Sequence, residues 1–88
     1  MAAERQQKLV RRRPLVKESA QLETKLARLE LERKELEAKL ADTSFYAATP
    51  APEVQAASRR CAELIAEIGA IEERWLEVHA ELEEIGEA

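Results

Sequence analysis

The sequence predicts an all-α protein, a two-helix antiparallel coiled-coil hairpin. Two stretches repeat apolar residues at alternating steps of four and three, the spacing of a heptad seam. A proline pair, Pro50 and Pro52, separates them. The composition, 36% charged with 3% aromatic residues and two Gly, suits long solvated helices better than a compact globule.

The first seam runs Leu15, Ser19, Leu22, Leu26, Leu29, Arg33, Leu36 and Leu40, with Leu15, Leu22, Leu29 and Leu36 at heptad position d. The second runs Val54, Ala57, Cys61, Leu64, Ile68, Ile71, Trp75, Val78, Leu82 and Ile85, apolar throughout. The residues between are mostly Glu, Lys, Arg, Gln and Ala, which favour helix. Helices are expected over residues 14–42 and 50–86, joined by a loop at 43–49, with residues 1–13 as a basic arm or linker.

Pro50 and Pro52 lack the amide hydrogen that a helix interior needs, but a first turn tolerates them. Thr49 then reads as an N-cap with Pro50 at the first helical position. So short a connection makes the helices antiparallel neighbours. Phe45 and Tyr46, the only Phe and Tyr, are expected to fold over the open end of the seam. The other reading is an exposed pair that stacks on a base or a protein partner.

Antiparallel pairing sets Leu40 against Ala57, Leu36 against Cys61, Arg33 against Leu64 and Leu29 against Ile68. It continues with Leu26 and Ile71, Leu22 and Trp75, Ser19 and Val78, and Leu15 and Leu82. Small Ser19 leaves room for the indole, and the Arg33 stem lies on Leu64 with its head in water. The apolar positions leave a slip of one heptad open. Leu31, Ile65 and Leu76 fall off the seam; they either widen it or stay exposed for a partner. The chain is expected to be a monomer, since Pro50 and Pro52 disfavour the opened helix of a swapped dimer.

The net charge of −4 hides a division. Residues 1–17 carry six basic residues against Glu4, a net of +5, and the remainder carries −9. Such asymmetry suggests a basic arm that meets a polyanion, or the chain's own acidic end. Arg5, Lys8, Arg11, Arg12, Arg13 and Lys17 are the candidate phosphate-binding residues, with Lys39, Arg59 and Arg60 a second patch near the tip. In the alternative, the same arm neutralises Glu77, Glu81, Glu83, Glu84 and Glu87, which the pairing brings beside it, with Arg12 opposite Ile85.

Catalytic signals are weak. An 88-residue chain with so few large side chains has little with which to enclose a cleft. The only His, His79, flanks the seam and is expected to be solvated. The single Cys, Cys61, excludes an internal disulfide and fits a buried small hydrophobe. No metal-ligand spacing or Gly-rich phosphate loop is present. The chain is expected not to be an enzyme and to hold no cofactor. Without a secretory signal or an apolar run long enough for a membrane, it is expected to be soluble and cytoplasmic.

Several pieces in order resemble a known family. They are Pro14-Leu15 at the start of the long helix, Leu40-Ala41-Asp42 with Phe45-Tyr46 at its end, and Arg74-Trp75 followed by Glu77 in the second helix. Over about residues 11–86 the chain resembles the C-terminal domain of ABC-F family ATPases, with the YheS-like branch nearer and Uup-like members more distant. The resemblance implies a soluble parent with two ATP-binding cassettes and no transmembrane domain. Such proteins act on the ribosome near the tRNA exit site, as translation or antibiotic-protection factors. The resemblance also implies a coiled coil joined to the second cassette by a basic linker, here ending in Arg5 to Arg13. Uup-like members are associated with DNA binding; elsewhere ribosomal RNA is the expected contact. ATP and Mg would belong to the cassettes, because no Walker A, signature or Walker B sequence occurs here. The alternative is a structural coiled coil that contacts protein, either the cassettes or a second copy. One departure is the acidic shaft, which confines nucleic-acid contact to the arm and the tip.

Overall fold

The computed structural model describes residues 2–86 as a rod of 68 × 15 × 14 Å. It contains α1 (Ala2–Ala41), α2 (Thr43–Ala48) and α3 (Ala51–Ile85), with α1 and α3 packed along their lengths. No helix among the described residues is long and apolar enough to cross a membrane.

Every expected seam position is buried or half-buried. Leu29, Leu64, Ile68 and Ile71 form the central cluster, flanked by Leu22, Leu26 and Leu36. Leu64 and Val78 are completely enclosed. Ser19 is buried, but its neighbour His79 is half-buried rather than solvated. The Ser19 Oγ and His79 Nε2 lie 2.9 Å apart, and the imidazole stacks on Trp75 with ring centres 3.9 Å apart. The hydroxyl left a polar atom in the seam, and His79 supplies its partner. Arg33 does break the apolar run, and its head is tied to Glu30 and Glu37 on its own helix.

The register follows from three interhelix ion pairs on one flank: Glu18 with Arg74 (2.6 Å), Lys25 with Glu67 (3.4 Å) and Glu32 with Arg60 (2.7 Å). This is the expected register, with Leu29 against Ile68. The flanking column reads Arg11, Glu18, Lys25, Glu32, Lys39 on α1 and Glu81, Arg74, Glu67, Arg60, Glu53 on α3, opposite in sign at each step. A slip of one heptad brings Glu18 to Glu81 or Glu67, Lys25 to Arg74 or Arg60, and Glu32 to Glu67 or Glu53. Every one of those pairs is like-charged. Exposed ion pairs contribute little singly, but a slip exchanges each attraction for a repulsion along the whole column.

Three boundaries differ from expectation. α1 begins at Ala2, so residues 2–13 are helical and Pro14 sits inside the helix. Pro14 forfeits the bond to the Val10 carbonyl, a loss of about 3 kcal/mol in a helix interior. Val10 and Pro14 are both exposed, so water can take up that carbonyl. The expected loop contains α2, whose N-cap is Asp42: its carboxylate accepts from the Ser44 amide (3.0 Å) and hydroxyl (2.8 Å). Thr49 does not cap α3. Preceding a proline, it is held extended, and Pro50 is the cap residue, its carbonyl accepting from Glu53 and Val54.

At the tip only Phe45 packs. It is half-buried, while Tyr46 is 51% exposed and meets the Phe45 ring edge-on. Leu31, Ile65 and Leu76 are likewise exposed and do not widen the seam.

The ion-pair column makes a stability prediction with a sign in pH. Hydrogen bonds from Arg74 and Arg60 hold the Glu18 and Glu32 carboxyls below their ordinary value of 4.5. Carboxylates depressed in the fold add stability that is complete above the unfolded value and is lost as pH falls through the folded one. Glu32→Arg should lower the melting temperature at pH 7, and adding Arg60→Glu should recover it. The deficit of a Glu18→Gln/Glu32→Gln variant should close as pH falls below 4.5. Circular-dichroism melts across pH check both.

Gly69 gives a second prediction. It lies inside α3, yet a Cβ there would meet nothing within 4 Å. Gly69→Ala should therefore stabilise the hairpin by about 0.5–1 kcal/mol, read from denaturant melts.

Candidate nucleic-acid interface

The pairing ends α3 opposite Arg12, inside the basic stretch of α1. Ile85 lies across from Arg12, and Gly86 closes the helix with φ 75°, its amide bonded to the Leu82 carbonyl. Glycine accepts that left-handed φ without strain. Residues 2–11 continue α1 past this point, about 15 Å at ~1.5 Å per residue.

Where this projection begins, the seam positions change character. Above it they are Leu15, Ser19 and Leu22; below it they are Arg12, Lys8 and Arg5. The apolar stripe thus becomes a cationic one where α3 stops. Arg11 and Arg13 lie to either side of it, and Lys17 lies one turn along from Arg13.

Of the predicted residues, Arg12 has a structural task. Its Nη1 donates to the Gly86 carbonyl at 2.7 Å, placing a cation at the negative end of the α3 dipole. Arg5, Lys8, Arg11, Arg13 and Lys17 are exposed, and none makes an ion pair among the described residues. Glu77 is instead bonded to Arg74, and Glu81, Glu83 and Glu84 form no ion pair with the arm. Glu87 lies outside the described residues.

The tip patch is not one cluster. Arg60 grips Glu32 through Nε (2.7 Å) and Nη2 (2.9 Å), and that hydrogen bond raises its pKa above the ordinary value. It belongs to the register column. Lys39 and Arg59 remain exposed near the tip, with no ion pair among the described residues.

Two basic residues of this face, between Lys17 and the tip patch, are not among the predicted ones. Lys25 and Arg28 line a shallow surface trough with Lys17, Ala20, Gln21 and Thr24. Residues 5–28 hold eight basic residues against two acidic, Glu18 and Glu23. Glu18 is bonded to Arg74 and Glu23 sits on the opposite flank. The signal was present as an acid-poor helix face, but it is diluted in a residue-by-residue count because Leu and Ala intervene. α3, by contrast, carries nine acidic and three basic residues.

Arg12→Ala should free the last turn of α3, costing about 1.5–3 kcal/mol for a hydrogen bond made by a charged group. Faster amide exchange near Leu82 to Gly86, with unchanged exchange at Leu64, checks this.

Residues 12–80 match the family described as the ABC transporter C-terminal domain. No curated protein and no solved structure matches the chain. The match spans most of the chain, from Arg12 at the foot of the hairpin across both long helices, and the chain belongs to the ABC transporter C-terminal domain family.

Proposed function

We propose that this chain is the non-catalytic C-terminal domain of an ABC-F ATP-binding protein and contacts nucleic acid, DNA or ribosomal RNA, through the basic face of α1. The observation that supports it most is the run from Arg5 to Arg28, with eight basic residues against two acidic. Most of those cations are exposed and without carboxylate partners among the described residues. Phosphates recognise such a surface without needing a cleft: each contact releases a condensed counterion, so affinity comes with a steep salt dependence.

Arg5, Lys8, Arg11, Arg13 and Lys17 hold phosphates in this reading, extended along the helix by Arg28, while Lys25 stays paired with Glu67. Lys39 and Arg59 are secondary contacts at the tip. Arg12 shapes the foot of the hairpin, and Arg60 maintains the register. ATP and Mg are the business of the parent's cassettes, which act in the cytoplasm at the ribosome. The acidic α3 faces away from the polyanion and limits binding to one side of the rod.

Fluorescence anisotropy of labelled RNA and duplex DNA, at low and physiological salt, tests this. Because Arg12 serves the fold, the informative variant is Arg11→Ala/Arg13→Ala/Lys17→Ala. On duplex DNA, removing three phosphate contacts should flatten the log–log salt slope by about 3. Absence of binding to either polymer at low salt would sink the proposal and leave the hairpin a protein-contacting or spacer element.

A further inference from the structure

The two flanks of the hairpin are unlike. One is closed by the three interhelix ion pairs at Glu18, Lys25 and Glu32. The other carries no interhelix ion pair among the described residues. It is open instead, as two adjoining hollows of about 390 and 180 Å³ that share Glu72. Leu26, Trp75 and Leu76 line the first; Ile65, Ile68 and Gly69 line the second.

Three features of this flank belong together. Both exposed large apolar side chains of α3, Ile65 (53%) and Leu76 (62%), border it. They stand three helical turns apart on one face, with Gly69 and Glu72 between them. At ~1.5 Å per residue they bracket about 16 Å of α3, the length of three turns of a helix laid alongside. Secondly, Gly69 leaves the floor bare, although nothing in this chain comes near enough to require it. A helix interior with open space above it favours alanine, and glycine there leaves room for a partner to approach the α3 backbone closely. Thirdly, the rim is acidic. Glu23, Glu30 and Glu72 border the hollows, and the one cation there, Arg33, already holds Glu30 and Glu37.

We infer that this groove docks a basic amphipathic α-helix of a partner protein, its apolar side over Gly69 between Ile65 and Leu76 and its Lys or Arg residues against Glu23 and Glu72. The rim argues against a second copy. A symmetric dimer through this face would set Glu72 and Glu23 of one chain beside the same carboxylates of the other. It would also bury them without cations. A nucleic acid is excluded by the same charges. The inference stands apart from the proposed nucleic-acid contact, which uses α1.

Trp75, the only tryptophan, sits in the groove and reports on it. The whole chain is titrated with a Leu/Lys amphipathic helical peptide, and with its Leu/Glu counterpart, while Trp75 emission is followed. The Leu/Lys peptide should shift the emission to the blue and saturate; the Leu/Glu peptide should not. Gly69→Leu should weaken binding at least about tenfold by filling the floor, while the hairpin melts no lower than the unaltered chain. Glu23→Gln/Glu72→Gln should weaken binding and reduce its salt dependence. Equal binding by Gly69→Leu would overturn the inference, because the peptide would then be spread over the acidic back of α3. So would no binding, or a lower melting temperature for Gly69→Leu. Sedimentation showing self-association abolished by Gly69→Leu would assign the groove to a second copy and also overturn it.

Discussion

The alternating charge column beside the seam is the constraint from which the rest of the geometry follows. Apolar side chains supply most of the cohesion, but Leu and Ile repeat every heptad and are nearly indifferent to a slip of seven residues. The column is not indifferent. Glu18, Lys25 and Glu32 meet Arg74, Glu67 and Arg60 only in one register. That register puts Ile85 across from Arg12, lets Arg12 reach the Gly86 carbonyl, and leaves the turns before it projecting. It also sets Ser19 where His79 can satisfy it. Weak, solvent-screened pairs thus decide where the functional surfaces lie, while contributing little to how tightly the helices hold.

A rod 15 × 14 Å in section has no interior beyond one seam, so its chemistry resides in its faces. Two helices expose three kinds of face: the back of α1, the back of α3 and the two flanks. Here each has a different character. The back of α1 is basic, α3 is acidic, one flank is zipped by ion pairs and the other is an open apolar groove with an acidic rim. Such segregation lets one thin element present a cationic side and an apolar, acid-rimmed side at once.

Much of this was legible in the residues. The four-and-three spacing located every seam position, including the buried Ser19 and the interrupting Arg33. Register was equally present in the charges, but it is read only when the flanking columns of both helices are compared pairwise. The misjudged places are those where a local rule met a second force. Pro14 looked like a helix start, because proline is welcome in a first turn; the solvent-facing side of α1 let the helix run through it. Thr49 looked like a cap, but the ring of Pro50 holds it extended, and Asp42 with Ser44 made the cap one segment earlier. His79 looked solvated from its place beside the seam; only the facing Ser19 hydroxyl and the Trp75 ring show why it turns inward.

The same pairing bears on whether the basic stretch can be only a counterweight to the acidic end of α3. A counterweight needs carboxylates within reach of each cation. Arg5 and Lys8 lie on turns that pass the last described turn of α3, and Arg13 and Lys17 point to the back of α1. Arg11 and Arg12 face α3: Arg11 lies level with Glu81 in the flanking column but forms no ion pair among the described residues, and Arg12 takes a backbone carbonyl rather than Glu81, Glu83 or Glu84. Those glutamates sit on an exposed helix that repels polyanions. The positive and negative ends therefore lie side by side with no ion pair between them among the described residues. A cation that faces away from its nearest carboxylate keeps its field in the solvent, which is where a phosphate would meet it.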